Sequence, residues 1–173
     1  FTEMVSHNYF SLLGVRMQQG RSFLPDEDAT PGTHPVAIMS DGLWKREFAA
    51  SPTAVGRVIK INGLGYTVVG VTPERFLGLN ALVGPELWVP TMMHDQILPS
   101  QFKTFVNDRR ALFFNIAARL RPGVGLEQAA ANLKALAKGL EKEYPEPNNG
   151  RTAALVPLTD ATIFPGLRPI LLT

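Results

Sequence analysis

Hydrophobic positions fall along this chain in changing rhythms, and the changes mark its elements. Tyr9, Phe10 and Leu13 share one helical face, which predicts a short helix over His7–Leu13, capped by Ser6 and stopped at Gly14. Arg21 to Leu24 reads as an extended piece, and Pro25-Asp-Glu-Asp-Ala-Thr-Pro-Gly as a polar loop. The apolar run Val36–Ser40 predicts a buried strand, and Asp41 caps a helix through Phe48. Two β-branched runs flank Asn62-Gly63, the strongest hairpin signal in the chain, and Pro73 ends the second. Glu86 to Val89 is a further short strand before Pro90.

The second half repeats one theme. Ala111–Leu120 reads as a strand turned at Pro122-Gly123, and Thr152–Pro157 as another. Between them Leu126, Ala129, Leu133, Leu136, Ala137 and Leu140 recur at helical period, predicting a helix over Leu126–Tyr144. Strand, helix, strand is a crossover unit if the two strands run parallel. The expected class is α+β.

Composition narrows the function. With 173 residues and 45% hydrophobic content the chain can bury a substantial core. Seventeen basic residues against fifteen acidic leave a formal charge of +2, and the basic residues are scattered, which argues against nucleic acid as a partner. There is no cysteine, so thiol catalysis, disulfides and cysteine-ligated zinc are excluded. No window reaches the roughly 18–20 apolar residues of a membrane helix. The tail, Pro-Gly-Leu-Arg-Pro-Ile-Leu-Leu-Thr, begins an apolar run that is consistent with a membrane helix following Ile170.

Candidate chemistry is sparse. His7, His34 and His94 lack metal-ligand spacing, and Asp26-Glu27-Asp28 lacks the ligand order of a calcium loop. The glycines around the hairpin join two strands, whereas a phosphate loop must open a helix. No P-loop lysine motif, nucleophile elbow or HExxH pair is present. Asp95 and Asp108 have nothing that raises them above other acids. These readings predict no catalytic residue, no cofactor and no metal. The lysines at 134, 138 and 142 read as a solvated helix face. The segment from Phe76 to Val83 is too apolar for an ordinary loop, and Phe76, Leu77, Leu79, Leu82 and Val83 are either a cap on the sheet or a contact patch for a partner.

The order of VSHNYFSLLGV, GRSFLPDED, HPVAIMSDGLWKREF, VGRVIKINGLGYTVVGV, ELWVP and LRPGVGLEQAAANL resembles the periplasmic core domain of MacB-like (FtsX-type) ABC transporter permeases. The acidic stretch and the LWKREF helix look most similar to duplicated permeases rather than to the macrolide-efflux prototype. The resemblance implies two lobes: a porter-like βαβ lobe built from residues 1–19 and 97–173, and an inserted small, mainly β lobe over residues 20–96. The hinge candidates are Gly20 and residues 90–100. It further implies that a strand and helix precede the VSHNYF segment in the family, so that the first lobe here exposes an unpaired strand edge.

The function it implies is mechanotransmission at the periplasmic side of the inner membrane. Its partners would be the other permease subunit or half, a cytoplasmic ATP-binding subunit and a candidate periplasmic adaptor, with membrane attachment through flanking helices. The alternative is a stand-alone soluble binding module.

Overall fold

A computed structural model describes residues 1–79 and 84–161. It separates into two compact units, Phe1–Lys103 and Thr104–Thr173.

The first unit is organised by a mixed sheet. Its strands are β1 (Thr2–Val5), β2 (Gln19–Gly20), β3 (Val36–Met39), β4 (Val58–Ile61), β5 (Leu64–Val71) and β6 (Leu87–Pro90). They run β1-β6-β3-β5-β2, with β4 also paired to β5. β1 lies parallel to β6, and β3 parallel to β5, while the β3–β6, β4–β5 and β2–β5 pairs are antiparallel. The hairpin turns where expected. Asn62 and Gly63 both take positive φ, 50° and 84°, as a two-residue turn matching strand twist requires.

A bulge decides how this sheet faces its core. Ala37 pairs with Val68, but Ile38 pairs with Gly70, so Val69 is an extra residue in β5. Strict alternation would send Val68 and Val71 to opposite faces. The extra residue places both in one cluster with Met39 and Trp44, while Val69 joins Phe10, Ile38 and Trp88 on the other face. Each face of the sheet therefore carries a core: Val5, Tyr9, Phe10, Phe23 and Trp88 on one, and Tyr66, Val89, Met93, Trp44 and Ala54 on the other.

Next to the bulge, Gly20 and Gly70 are register partners. A methyl on Gly70 would run into the carbonyl of Arg21, and one on Gly20 into the carbonyl of Val69. Glycine at both positions lets β2 reach β5, so Gly20, a hinge candidate from the sequence, is held within a ladder.

Helix α1 (Tyr9–Leu12) is shorter than expected, and Asn8 rather than Ser6 precedes it; the Ser6 hydroxyl instead donates to Asn8 Oδ1 at 2.7 Å. Gly14 follows with φ of 73°. Helix α2 (Asp41–Phe48) is capped by Ser40, whose hydroxyl accepts from the Leu43 amide at 3.1 Å, not by Asp41. Asp41 sits one position later and pairs with Lys45 at 2.9 Å. Helix α3 (His94–Ile97) follows β6.

In the second unit, helix α4 (Leu126–Glu143) matches its expected span. Residues 111–120 and 151–157 form no strand, which corrects the expected strand-helix-strand unit. Both segments retain the side-chain alternation of a strand. Ala111 and Phe113 are partly covered, as are Ala153 and Leu155, whereas Leu112 and Ile116 are about nine-tenths exposed. A strand exists only through a backbone partner, and no ladder forms on either segment among the described residues. Arg151 ties the chain here, donating to the carbonyls of Arg109 and Arg110 at 2.9 and 2.7 Å.

Residues 1–19 supply β1 and α1 to the same compact unit as β2 to β6. This differs from the division implied by the resemblance, which places them with residues 97–173. The physical reason is the pairing of β1 with β6 and the packing of Tyr9 and Phe10 against Trp88.

Candidate functional site

The apolar segment after β5 is the one sequence-nominated site. Phe76 packs between Phe10 and Trp88, its ring 5.8 and 5.5 Å from theirs, and Leu79 also rests on this core. The Leu79 amide donates to the Tyr9 hydroxyl at 3.1 Å. Gly78 takes φ of 70° directly over that hydroxyl; a Cβ there would come within 2.9 Å of it. Leu77 points the other way and stays 47% exposed. Leu82 and Val83 lie outside the described residues. The described part of the segment thus divides into a core cap, Phe76 and Leu79, and one exposed apolar side chain, Leu77.

Beneath it lies a polar knot. Glu3 and Trp88 are register partners on β1 and β6, and the Trp88 indole donates to Glu3 Oε2 at 2.9 Å. Burial pushes the Glu3 carboxyl above its ordinary range, an effect the indole bond reduces. Burial and the nearby Glu3 charge push the Tyr9 phenol up to about 12.

Both feet of the segment are tied to α2. Lys45 reaches Glu74 at 3.4 Å, and Arg46 reaches Glu86 at 2.6 Å. Hydrogen bonding to Glu86 and Glu47 raises the Arg46 guanidinium.

The acidic stretch does structural work. Arg21 grips Glu27 through two bonds of 2.7 and 2.9 Å, and Glu27 also accepts from the Leu24 amide at 2.8 Å. Burial alone would raise the Glu27 carboxyl; Arg21 and the amide outweigh it and hold the group low. Asp28 accepts from the backbone amides of His7 and Met92, each at 3.0 Å. Sequence reasoning saw only a solvated turn here, because both amides come from distant parts of the chain.

The histidines stay apart in role. His34 meets the Thr33 hydroxyl at 2.8 Å, His94 meets Asp95 at 3.0 Å, and His7 lies 3.8 Å from Asp28. Asp108 accepts from the Arg110 amide. Among the described residues no three side chains are grouped to hold a metal ion, and no helix is long and apolar enough to cross a membrane. Lys134, Lys138 and Lys142 are exposed along α4. The Arg109 guanidinium stacks 3.9 Å over the Tyr144 ring.

The arrangement is one of ties and caps between strands. Residues 2–136 match the family described as MacB-like periplasmic core domain. The chain belongs to this family. The macrolide export ATP-binding/permease protein MacB of Burkholderia thailandensis is 31% identical over 86 residues, covering 50% of this chain and 13% of that protein. A probable export ATP-binding/permease protein MacB of Pseudomonas entomophila is 32% identical over 89 residues, with the same shares. The chain therefore spans a small fraction of the length of the curated relatives it matches.

Solved structures agree on the fold. The periplasmic region of MacB from Actinobacillus actinomycetemcomitans superposes with a TM-score of 0.54 at 16% identity, over 82% of this chain and 56% of that one. The extracellular domain of the noncanonic ABC-type transporter YknZ from Gram-positive bacteria gives 0.52 at 16% identity, over 83% and 64%. This MacB-like domain is α+β with a mixed sheet, on the periplasmic side of a transporter permease.

Proposed function

We propose that this MacB-like domain transmits movement: ATP hydrolysis in a cytoplasmic subunit shifts membrane helices, and the domain carries the displacement to the periplasmic side. The observation that carries this reading is the family match over residues 2–136, joined to a first unit in which the Glu3 and Asp28 side chains tie distant segments together. Such a role needs a body that keeps its shape under load.

By analogy with the relatives named as macrolide exporters, macrolides are the first substrate class to test. The other permease half, the ATP-binding subunit and a periplasmic adaptor are the proposed partners. A porter-like lobe extending the second unit is part of the same proposal, as is Leu77 as a partner contact.

The test is made in the parent transporter. Residues 2–136 are replaced by a flexible linker, and ATP hydrolysis in membranes is compared with macrolide tolerance in cells. The expected result is hydrolysis retained with tolerance lost. Tolerance that survives the replacement overturns the reading.

A further inference from the structure

We infer that the β1–β6 pair is a shear clamp between the two places where the chain joins the first unit. Of the strands described in that unit, β1 comes first in sequence and β6 last, and they lie side by side and parallel from Thr2↔Leu87 to Val5↔Pro90. A load applied before β1 and after β6 pulls adjacent parallel strands from opposite ends. Every bond between them then resists together, whereas a load on both starting ends would peel them one at a time.

Further bonds reinforce this pair at three levels. At the start, the Phe1 carbonyl accepts from the Glu86 amide at 3.0 Å, and Glu86 is held by Arg46. In the middle, Trp88 and Glu3 cross-link facing positions. At the far end the register stops at Val5 and Pro90, and two residues further on Asp28 takes the amides of both His7 and Met92. The Asp28 side chain is only 7% exposed, so a single buried carboxylate splices both strands where their ladder runs out. Charge-assisted bonds of this kind are stronger than the ladder bonds they extend.

The clamp takes its purpose from the proposed force transmission, but its physics rests on the register and the Asp28 geometry. Single-molecule pulling on the full chain tests it. The chain contains no cysteine, so one introduced thiol gives one attachment point. With one handle on the N-terminus, the other is placed at Glu86→Cys for peeling or at Gln101→Cys for shear, the shear variant also carrying Glu86→Ser so that both lack the Arg46 tie. The main rupture force is expected to be at least about twofold larger in shear, since several bonds of ordinary strength must break together. Asp28→Ala should lower the shear force and leave the peeling force nearly unchanged.

Equal forces in the two directions overturn the clamp. So does an Asp28→Ala variant that loses chemical stability yet ruptures in shear at the wild-type force. If the Glu86 attachment prevents folding, the Asp28 comparison at the shear pair still decides. An isotropic domain whose replacement still abolishes macrolide tolerance would refute the clamp and leave force transmission standing. A directional domain that the transporter can lose without effect would do the reverse.

Discussion

Gly70→Ala should be among the most damaging single-methyl additions to this protein. Gly70 is buried in β5, beside the bulge at Val69 and opposite both Ile38 and Gly20. The added carbon would meet the Arg21 carbonyl, which is backbone and cannot turn aside as a side chain could. Overpacking of this kind costs about 1–3 kcal/mol. Relief requires β2 to move off β5, which breaks the Gln18 amide to Val71 carbonyl bond and the Arg21 amide to Val69 carbonyl bond, both 2.9 Å. At roughly 1 kcal/mol each, the total comes to about 3–5 kcal/mol. That is a large share of the roughly 5–15 kcal/mol that holds a typical domain together.

Gly63→Ala is the control. Its φ of 84° strains any side chain, but nothing lies within 4 Å of the new carbon. Strain alone should cost about 1–2 kcal/mol. Urea unfolding followed by tryptophan fluorescence reads the comparison cleanly, because both tryptophans, Trp44 and Trp88, belong to the first unit. A Gly70→Ala loss no larger than that of Gly63→Ala would refute the steric reasoning and the placement of β2.

Three further outcomes follow from the same geometry. The raised Tyr9 phenol keeps its proton in the folded state after the unfolded chain has lost it, so stability is full below pH 10 and falls as pH climbs to about 12. Tyr9→Phe should shrink that fall by roughly 2 kcal/mol, read as urea midpoints against pH; an unchanged alkaline slope would count against it. Glu3, also raised, favours folding below its ordinary value and loses that contribution as pH rises through its folded value. Glu3→Gln keeps an oxygen for Trp88, so its stability relative to wild type should improve as pH rises above the ordinary glutamate value, and a constant difference from acid to neutral pH would exclude the effect. Gly139 lies inside α4 with open space around it, so Gly139→Ala should stabilise the second unit by about 0.5–1 kcal/mol, seen in thermal melts by circular dichroism; a lower midpoint would show the site is occupied.

What could be read from the sequence was what local chemistry determines. Asn62-Gly63 fixed its turn, Gly14 its stop and the leucine period of α4 its length. Elements that exist through distant partners were not legible. Thr2–Val5 has no turn signals around it and becomes a strand only because Leu87–Pro90 lies alongside. The only local mark of the bulge in Tyr66-Thr-Val-Val-Gly-Val is Gly70, which suggests a bulge or a close backbone approach without fixing where the register shifts. Residues 111–120 show the converse, an alternating pattern without a ladder. At the candidate site the apolar character of Phe76 and Leu79 was visible, but the Tyr9 hydroxyl that fastens the segment sits 70 residues away.

The parallel pairing of β1 with β6 also sets a clock. Glu3 and Trp88 are 85 residues apart, so β1 must wait for β6 before its ladder can close. At roughly 5–20 residues per second, synthesis alone imposes a delay of about 4–17 s. Throughout it, the backbone of residues 2–5 and the aromatic cluster of Tyr9 and Phe10 have no β6 to cover them. β6 is thereby the strand on which closure of this edge of the sheet depends.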